Sequence, residues 1–170
     1  MRRWSRAILV GAVVGSCIGC DQVTKVAAHQ NLADHEALSF LGGMVRLSYV
    51  ENPGAFLGLG AGLSSGVRVW LLGVMVALLL TLFAAHAIVD RSAGGVHLVG
   101  MAMIVGGGVG NLVDRVSAGV VRDFINMGIG SIRTGIFNLA DLAITVGTVI
   151  VLCSWGGRRS GPGRPTRPCT

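Results

Sequence analysis

The sequence predicts an all-α membrane protein with four transmembrane helices, cytoplasmic N and C termini, and a small β-containing outer segment between helices 1 and 2. The first observation behind this prediction is composition: 52% of the 170 residues are hydrophobic and 13% are charged, a balance outside that of soluble domains. The second is the clustering of apolar residues, because a bilayer core about 30 Å thick requires roughly 20 of them per helix. Four stretches of the chain meet or approach that length.

The four predicted helices differ in how well they match a membrane span. The clearest is 69–89, which contains no formally charged residue and is bracketed by Arg68 and Asp90. The other three are predicted at 7–27, 96–113 and 137–155. Helices 1 and 4 carry polar residues near one end, and helix 3 is short and rich in glycine. Because polar groups at membrane depth are costly, these irregular ends are where functional residues are expected.

The arginines predict the orientation, since Lys and Arg are enriched in the cytoplasmic flanks of membrane spans. The two tails and the 90–95 turn contain Arg2, Arg3, Arg6, Arg91, Arg158, Arg159, Arg164 and Arg167. The opposite flanks contain Arg46, Arg115, Arg122 and Arg133. Segments 28–66 and 114–136 are therefore expected outside. Residues 1–156 are expected to form a single membrane-embedded domain, and 157–170 a basic, disordered cytoplasmic tail.

The outer segment between helices 1 and 2 has two parts with different patterns. Residues 44–50, MVRLSYV, alternate loosely and include residues that favour strands, which predicts a short sheet or hairpin on the membrane surface. Residues 52–63, NPGAFLGLGAGL, are too rich in glycine for an ordinary helix. This second part is expected to lie against lipid or to cradle a ligand.

Several function classes have no support in the sequence. The net charge of +6 comes from arginines that are scattered or lie in the tails, so nucleic-acid binding is not predicted. The four cysteines have the spacing neither of a disulfide framework nor of a closed zinc site. His35 and Glu36 lack the second histidine of an HExxH motif, and no GxSxG or Walker lysine motif occurs. No metal or cofactor is predicted.

A charged pair lies near the outer end of helix 1. Asp21 and Lys25 are one helical turn apart, with the acid N-terminal to the base, which is the favourable order. The simplest interpretation is an interfacial ion pair that anchors the end of the helix. A functional role is the alternative, because ionisable groups at this depth are costly.

Glycines mark two helices. Four of them precede Asn111, Asp114 and Arg115 at the outer end of helix 3, where they predict a packing face that ends in polar residues. That face is compatible with a functional site. A second stripe in helix 1, formed by Gly11, Gly15 and Gly19, is also predicted to be a packing face.

Two further acids reach the same outer boundary from different segments. Asp123 lies after helix 3 and Asp141 lies in the first turn of helix 4. Asn138 followed three residues later by an acid resembles a capping box, which would explain Asp141 but not Asp123. Two neighbouring carboxylates in a poorly solvated site share one proton, and this is the arrangement that an aspartic protease uses.

Five short motifs, in this order, resemble those of the bacterial lipoprotein signal peptidases (signal peptidase II), and the resemblance covers nearly the whole chain. The motifs are DQVTK at 21–25, NPGAF at 52–56, GGGVGNLVDR at 106–115, VRDF at 121–124 and FNLAD at 137–141. The resemblance implies that Asp123 and Asp141 are the catalytic dyad. It implies that eight other residues shape the site or hold substrate: Asp21, Lys25, Asn52, Gly54, Asn111, Asp114, Arg115 and Asn138.

The resemblance also implies a substrate and a location. The substrate would be a prolipoprotein whose lipobox cysteine carries a diacylglyceryl group, cut on the N-terminal side of that cysteine. The enzyme would be a multi-pass protein of the bacterial inner membrane, with its active site at the outer face. Membrane lipid and prolipoprotein are the expected partners, and a monomer is expected.

Three alternatives compete with this interpretation. The first 20 residues imitate a lipoprotein signal peptide that ends in Gly19 and Cys20, although three more helices follow. A membrane thiol oxidoreductase would use Cys17 and Cys20. A small transporter or assembly subunit would also carry intramembrane charges, but near the bilayer midplane and not at one face.

Overall fold

The computed structural model describes residues 3–53, 64–89 and 94–156. Within them, four helices lie at the predicted positions: α1 (Arg3–Leu32), α2 (Ser65–Val89), α3 (Gly95–Ala118) and α4 (Leu139–Gly156). In these described ranges, α1 and α3 are long and apolar enough to cross a membrane, and Leu139–Ser154 is a shorter apolar helix. The four-span topology and its orientation stay predictions. The predicted tail at 157–170 lies outside the described residues.

The predicted packing face of helix 3 is confirmed, because α3 packs against each of the other three helices. A Cβ at Gly106 would lie 2.7 Å from Cys17 Cβ in α1, and one at Gly108 would lie 2.5 Å from Leu80 Cδ2 in α2. A Cβ at Gly107 would collide with the Ala140 carbonyl oxygen in α4. The missing side chains therefore let three helices approach α3 closely.

The prediction for the glycine stripe of helix 1 was wrong. A Cβ at Gly11, Gly15 or Gly19 would have no neighbour within 4 Å among the described residues. These glycines lie on an exposed face of α1, whereas the side of the helix that meets α3 carries Val14 and Cys17.

A four-stranded antiparallel sheet joins the two outer segments. Its strands follow the order β1 (Leu38–Phe40), β2 (Val45–Asn52), β3 (Val121–Ile129) and β4 (Ile132–Arg133). The strand predicted around 44–50 is confirmed as β2. The sheet is nevertheless larger than predicted, because β3 and β4 come from the segment between α3 and α4.

The sheet is fixed to the helices at the end that carries the acids. Phe124 packs with Ala28 and Leu32 of α1 in an apolar cluster that also includes Leu47 and Tyr49. The β2–β3 register is interrupted between Leu47 and Val50, and beyond this irregularity Val50 pairs with Asp123. The backbone N–H groups of residues 124 and 125 both donate to the Phe137 carbonyl oxygen, which holds β3 beside the start of α4.

Candidate active site

Asp123 and Asp141 are brought together by one asparagine. Asn138 Nδ2 donates to Asp123 Oδ1 at 2.7 Å, while the Asn138 backbone N–H donates to Asp141 Oδ2 at 3.2 Å. Asn138 is fully buried, and Asp123 retains only 3% of its exposure. Two carboxylates that are 18 residues apart in sequence therefore share a single anchor.

Asn138 also caps α4, so the capping interpretation of Asp141 is confirmed. Its side-chain Oδ1 accepts a hydrogen bond from the Asp141 N–H at 3.0 Å, which makes the exchange between the two residues reciprocal. Capping uses only one oxygen of the Asp141 carboxylate, Oδ2. The other oxygen, Oδ1, accepts a hydrogen bond from Asn111 Nδ2 at 2.8 Å. Asp141 therefore takes part in the capping box of α4 and also belongs to the acidic pair.

Asn52 completes the contacts of Asp123 from the sheet side. Its Nδ2 donates to Asp123 Oδ2 at 3.0 Å, so each oxygen of Asp123 has an amide donor. We call Asp123, Asp141, Asn52 and Asn138 the dyad cluster. Asn52 is exposed and Asp141 is half-buried, so they are its more accessible members.

A second group, the ion-pair cluster, consists of Asp21, Lys25 and Asp114. Lys25 Nζ lies 2.8 Å from Asp21 Oδ2 and 3.1 Å from Asp114 Oδ2, and all three side chains are fully buried. Lys25 is the chain's only lysine. The predicted ion pair of helix 1 is thus confirmed, but it is a buried triad joining α1 to α3 and not an interfacial anchor.

Asn111 connects the two clusters. Its Oδ1 accepts hydrogen bonds from Lys25 Nζ at 2.9 Å and from Asn138 Nδ2 at 3.1 Å. Because the oxygen faces these donors, the amide nitrogen is directed at Asp141. The charge of Lys25 therefore fixes which end of the Asn111 amide the dyad cluster meets.

The ion-pair cluster also holds two of the chain segments that carry the dyad. Asp21 Oδ1 accepts from the Ala140 N–H at 3.0 Å, next to Asp141. Asp114 Oδ2 accepts from the Arg122 N–H at 3.1 Å, next to Asp123. Each buried carboxylate thus fixes the backbone beside one member of the pair.

Arg115 lies close enough to interact electrostatically with both acids of the pair and with Asp114. It is half-buried, and its Nη1 donates to the Asn111 carbonyl oxygen at 3.3 Å. Nine of the ten predicted site residues thus lie in or beside the two clusters. The tenth, Gly54, lies outside the described residues.

Burial raises the pKa of Asp123, and the negative charge of Asp141 raises it further. The hydrogen bonds from Asn52 and Asn138 act in the opposite direction, since they favour the ionised form. A raised pKa at one member of a carboxylate pair is the condition under which the pair keeps one proton.

The sequence-based prediction missed two residues of the site. Gln22 Nε2 lies within hydrogen-bond distance of Asp21 Oδ2, the Gly110 carbonyl oxygen and Asp114 Oδ1, at 3.1 to 3.3 Å. The Arg122 guanidinium lies 4.0 Å from Asp114. Gln22 lies in the motif at 21–25 and Arg122 in the motif at 121–124. Their place in these motifs was the one sign in the sequence that they belong to the site. In the described ranges, no group of three His, Cys, Asp or Glu residues is placed to hold a metal ion.

Comparison with known proteins identifies the family of this chain. The profile of the family described as Signal peptidase (SPase) II matches residues 13–155. A lipoprotein signal peptidase of Desulforapulum autotrophicum is 35% identical, over 85% of this chain and 88% of its own length. One of Moorella thermoacetica is 36% identical, over 80% and 84%.

The fold matches a solved structure described as a bacterial membrane enzyme. The TM-score is 0.78, with 22% identity over 94% of both chains. At that identity the likeness shows the fold alone, and the sequence comparisons identify the family. The resemblance found in the five motifs is confirmed: the chain belongs to the Signal peptidase (SPase) II family.

Proposed function

We propose that this protein is an aspartic endopeptidase that removes signal peptides from diacylglyceryl-modified prolipoproteins, cutting N-terminal to the lipidated cysteine. The observation that carries the proposal is the shared anchor: one buried asparagine, Asn138, holds Asp123 and Asp141 together at the end of α4. The names of the related proteins supply the substrate class. The Asp123–Asp141 pair supports hydrolysis of a peptide bond by the mechanism of aspartic proteases.

The proposed reaction is the addition of water to a peptide bond. One carboxylate of the pair, ionised, takes a proton from water as the water oxygen attacks the scissile carbonyl carbon. The other carboxyl, protonated, donates a hydrogen bond to the carbonyl oxygen. When the C–N bond breaks, a proton passes to the leaving amine and the pair returns to its singly protonated state. The raised pKa of Asp123 supports a pair that retains this one proton.

The location follows from the arginine distribution and the position of the site. We place the protein as a monomer in the bacterial inner membrane, with both termini cytoplasmic and the dyad cluster at the outer face. Residues 1–156 form the peptidase domain in this proposal, and 157–170 a cytoplasmic tail. The acids lie where the ends of α3 and α4 meet the sheet, so a substrate anchored in the outer leaflet reaches them from the lipid.

The alternatives receive no specific support. Cys17 and Cys20 are free, and Cys17 packs on Gly106 within the α1–α3 contact. A transport site would require charged groups near the middle of the helices. The charged groups here lie toward the C-terminal end of α3, where Asn111 and Asp114 are found.

The proposal is tested by cleavage of a purified diacylglyceryl prolipoprotein in liposomes. Wild type is expected to cut before the lipidated cysteine, and Asp123→Asn and Asp141→Asn are expected to lose about 10³-fold or more in kcat. The matched control is Asp34→Asn, which changes an exposed acid and should keep full activity. Folding of each variant is verified by thermal unfolding.

Two outcomes would overturn the proposal. One is a folded wild type that leaves the prolipoprotein intact. The other is a folded Asp123→Asn or Asp141→Asn variant that cuts at the wild-type rate, since the proposed mechanism requires both carboxylates.

A further inference from the structure

An apolar groove lies between α2 and α3, outside both clusters. It encloses about 340 Å³ and is lined by Trp70, Gly73, Val74, Ala77, Leu112 and Val116. None of these side chains carries a charge. Trp70 and Val116 are each 76% exposed, so the groove is open on the side that faces away from the protein.

The groove has the shape of a channel that follows α2. Trp70, Val74 and Ala77 occupy successive turns and span about 10 Å along the helix axis. Gly73 keeps the channel open, because a Cβ there would already touch Leu112 Cδ1 at 3.7 Å and a longer side chain would fill the space. A channel about 10 Å long accommodates a segment of one extended hydrocarbon chain.

The floor of the groove is the same part of α3 that carries the site. Leu112 directly follows Asn111, and Val116 directly follows Arg115. Consecutive helical residues point about 100° apart, so the groove lies on the face of α3 next to the one that meets Asp141. The groove and the acids are therefore at one depth, on adjacent faces of one helix.

We propose that this groove binds one acyl chain of the lipid-modified substrate. The inference rests on the proposed function, which puts the diacylglyceryl group on the residue next to the scissile bond. Because the groove and the acids lie at the same depth in the membrane, an acyl chain that starts beside the acids can enter the groove directly. A bilayer is as apolar as the groove, so the contact acts by positioning the scissile bond and by packing, and not by hydrophobic transfer.

The first experiment fills the groove and varies the acyl chain. Wild type is expected to cleave a prolipoprotein with two C16 chains more efficiently than one with two C4 chains. Ala77→Phe should lower kcat/KM for the C16 substrate about tenfold and leave the C4 substrate nearly unchanged. Ala85→Phe is the control, because it makes the same change at an exposed position of α2 two turns away.

The second experiment detects the contact without catalysis. The Asp141→Asn variant is mixed with a prolipoprotein whose acyl chains carry a photoreactive diazirine, and the labelled peptides are identified after irradiation. Labelling is expected to concentrate on 70–77 and 112–116, well above that of the exposed residues Val23 and Val26 on α1. A diazirine-bearing phosphatidylcholine serves as the bulk-lipid control.

These measurements separate the two proposals. If Ala77→Phe keeps the wild-type preference for C16, or the substrate labels α1 as strongly as the groove, the groove is only a lipid-covered surface and the inference fails. Asp123→Asn, which should lose activity on both substrates, tests the peptidase proposal independently of chain length.

Discussion

The two groups of buried carboxylates in this protein have opposite electrostatic surroundings. In the ion-pair cluster, Asp21 and Asp114 share the ammonium of Lys25, and all three side chains are fully buried. In the dyad cluster, Asp123 and Asp141 receive hydrogen bonds from neutral amides, and Asp141 remains partly accessible. A carboxylate in direct contact with a cation stays ionised and fixes structure, whereas Asp123 and Asp141 meet Arg115 only at longer range and can keep a proton for chemistry. We infer that the first cluster holds the fold and the second performs the reaction.

The largest effect on stability is expected at Lys25. Lys25→Met removes the ammonium that lies 2.8 and 3.1 Å from two fully buried carboxylates, which should lower the free energy of unfolding by about 3–5 kcal/mol. Unfolding by SDS in mixed micelles measures the change. The triple variant Asp21→Asn, Lys25→Met, Asp114→Asn should recover part of the loss, because it leaves no buried charge unpaired. A Lys25→Met variant as stable as wild type would contradict the assigned role.

A smaller effect is expected where a glycine supports the ion-pair cluster. A Cβ at Gly110 would lie 2.6 Å from Asp21 Oδ2, so Gly110→Ala should push Asp21 from its contacts and cost about 1–3 kcal/mol. Gly15→Ala is the matched control, since nothing lies within 4 Å of its Cβ position, and it should leave stability unchanged or raise it by up to about 1 kcal/mol. Equal changes in stability for Gly110→Ala and Gly15→Ala would contradict the supporting role assigned to Gly110.

The smallest predicted effect is a shift in pH dependence. The hydrogen bond from Asn52 lowers the pKa of Asp123, so Asn52→Leu should raise that pKa further. The alkaline limb of kcat/KM, which reports loss of the pair's last proton, should then move to higher pH. Asn31→Leu is the control, because Asn31 is exposed and its side chain donates to the Ala27 carbonyl oxygen of its own helix. An alkaline limb that stays in place or moves to lower pH would refute the assigned hydrogen bond.

The same raised pKa has a consequence for stability. Folded protein holds the Asp123 proton at pH values where an unfolded aspartate, with its pKa of about 3.9, has lost it. The free energy of unfolding should therefore fall as pH rises from about 4 through the folded pKa, and stay lower above it. Asp123→Asn removes this dependence, so its stability relative to wild type should increase across that window. Unfolding measured at a series of pH values provides the test.

The sequence predicted the helices and most of the site, because both depend on local signals. Apolar runs located the four helices, and the short motifs located nine residues that the structure brings together. The end of α3 was placed too early, at 113. The helix continues to Ala118, because Asp114 is satisfied inside the ion-pair cluster, and it stops at Gly119 with a φ of 75°.

Features that depend on tertiary contacts were not predictable. Strand β3 carries two consecutive buried residues, Asp123 and Phe124, beside a register irregularity, so its sequence lacks a clear alternation. The glycines of α1 and those of α3 were both predicted to form packing faces. Only the structure distinguishes them, because within the described ranges the glycines of α3 meet other helices and those of α1 do not. Gln22 gave no sign of its three polar contacts beyond its place in a motif.

The ion-pair cluster is expected to stabilise the fold and the dyad cluster to perform the reaction. One paired measurement tests this division most directly. Cleavage of the lipidated prolipoprotein and SDS unfolding are recorded on the same preparations of wild type, Asp123→Asn and Lys25→Met. We predict that Asp123→Asn is at least as stable as wild type but loses about 10³-fold in kcat, while Lys25→Met loses stability by several kcal/mol. An active Asp123→Asn, or a Lys25→Met variant of unchanged stability, would contradict the division.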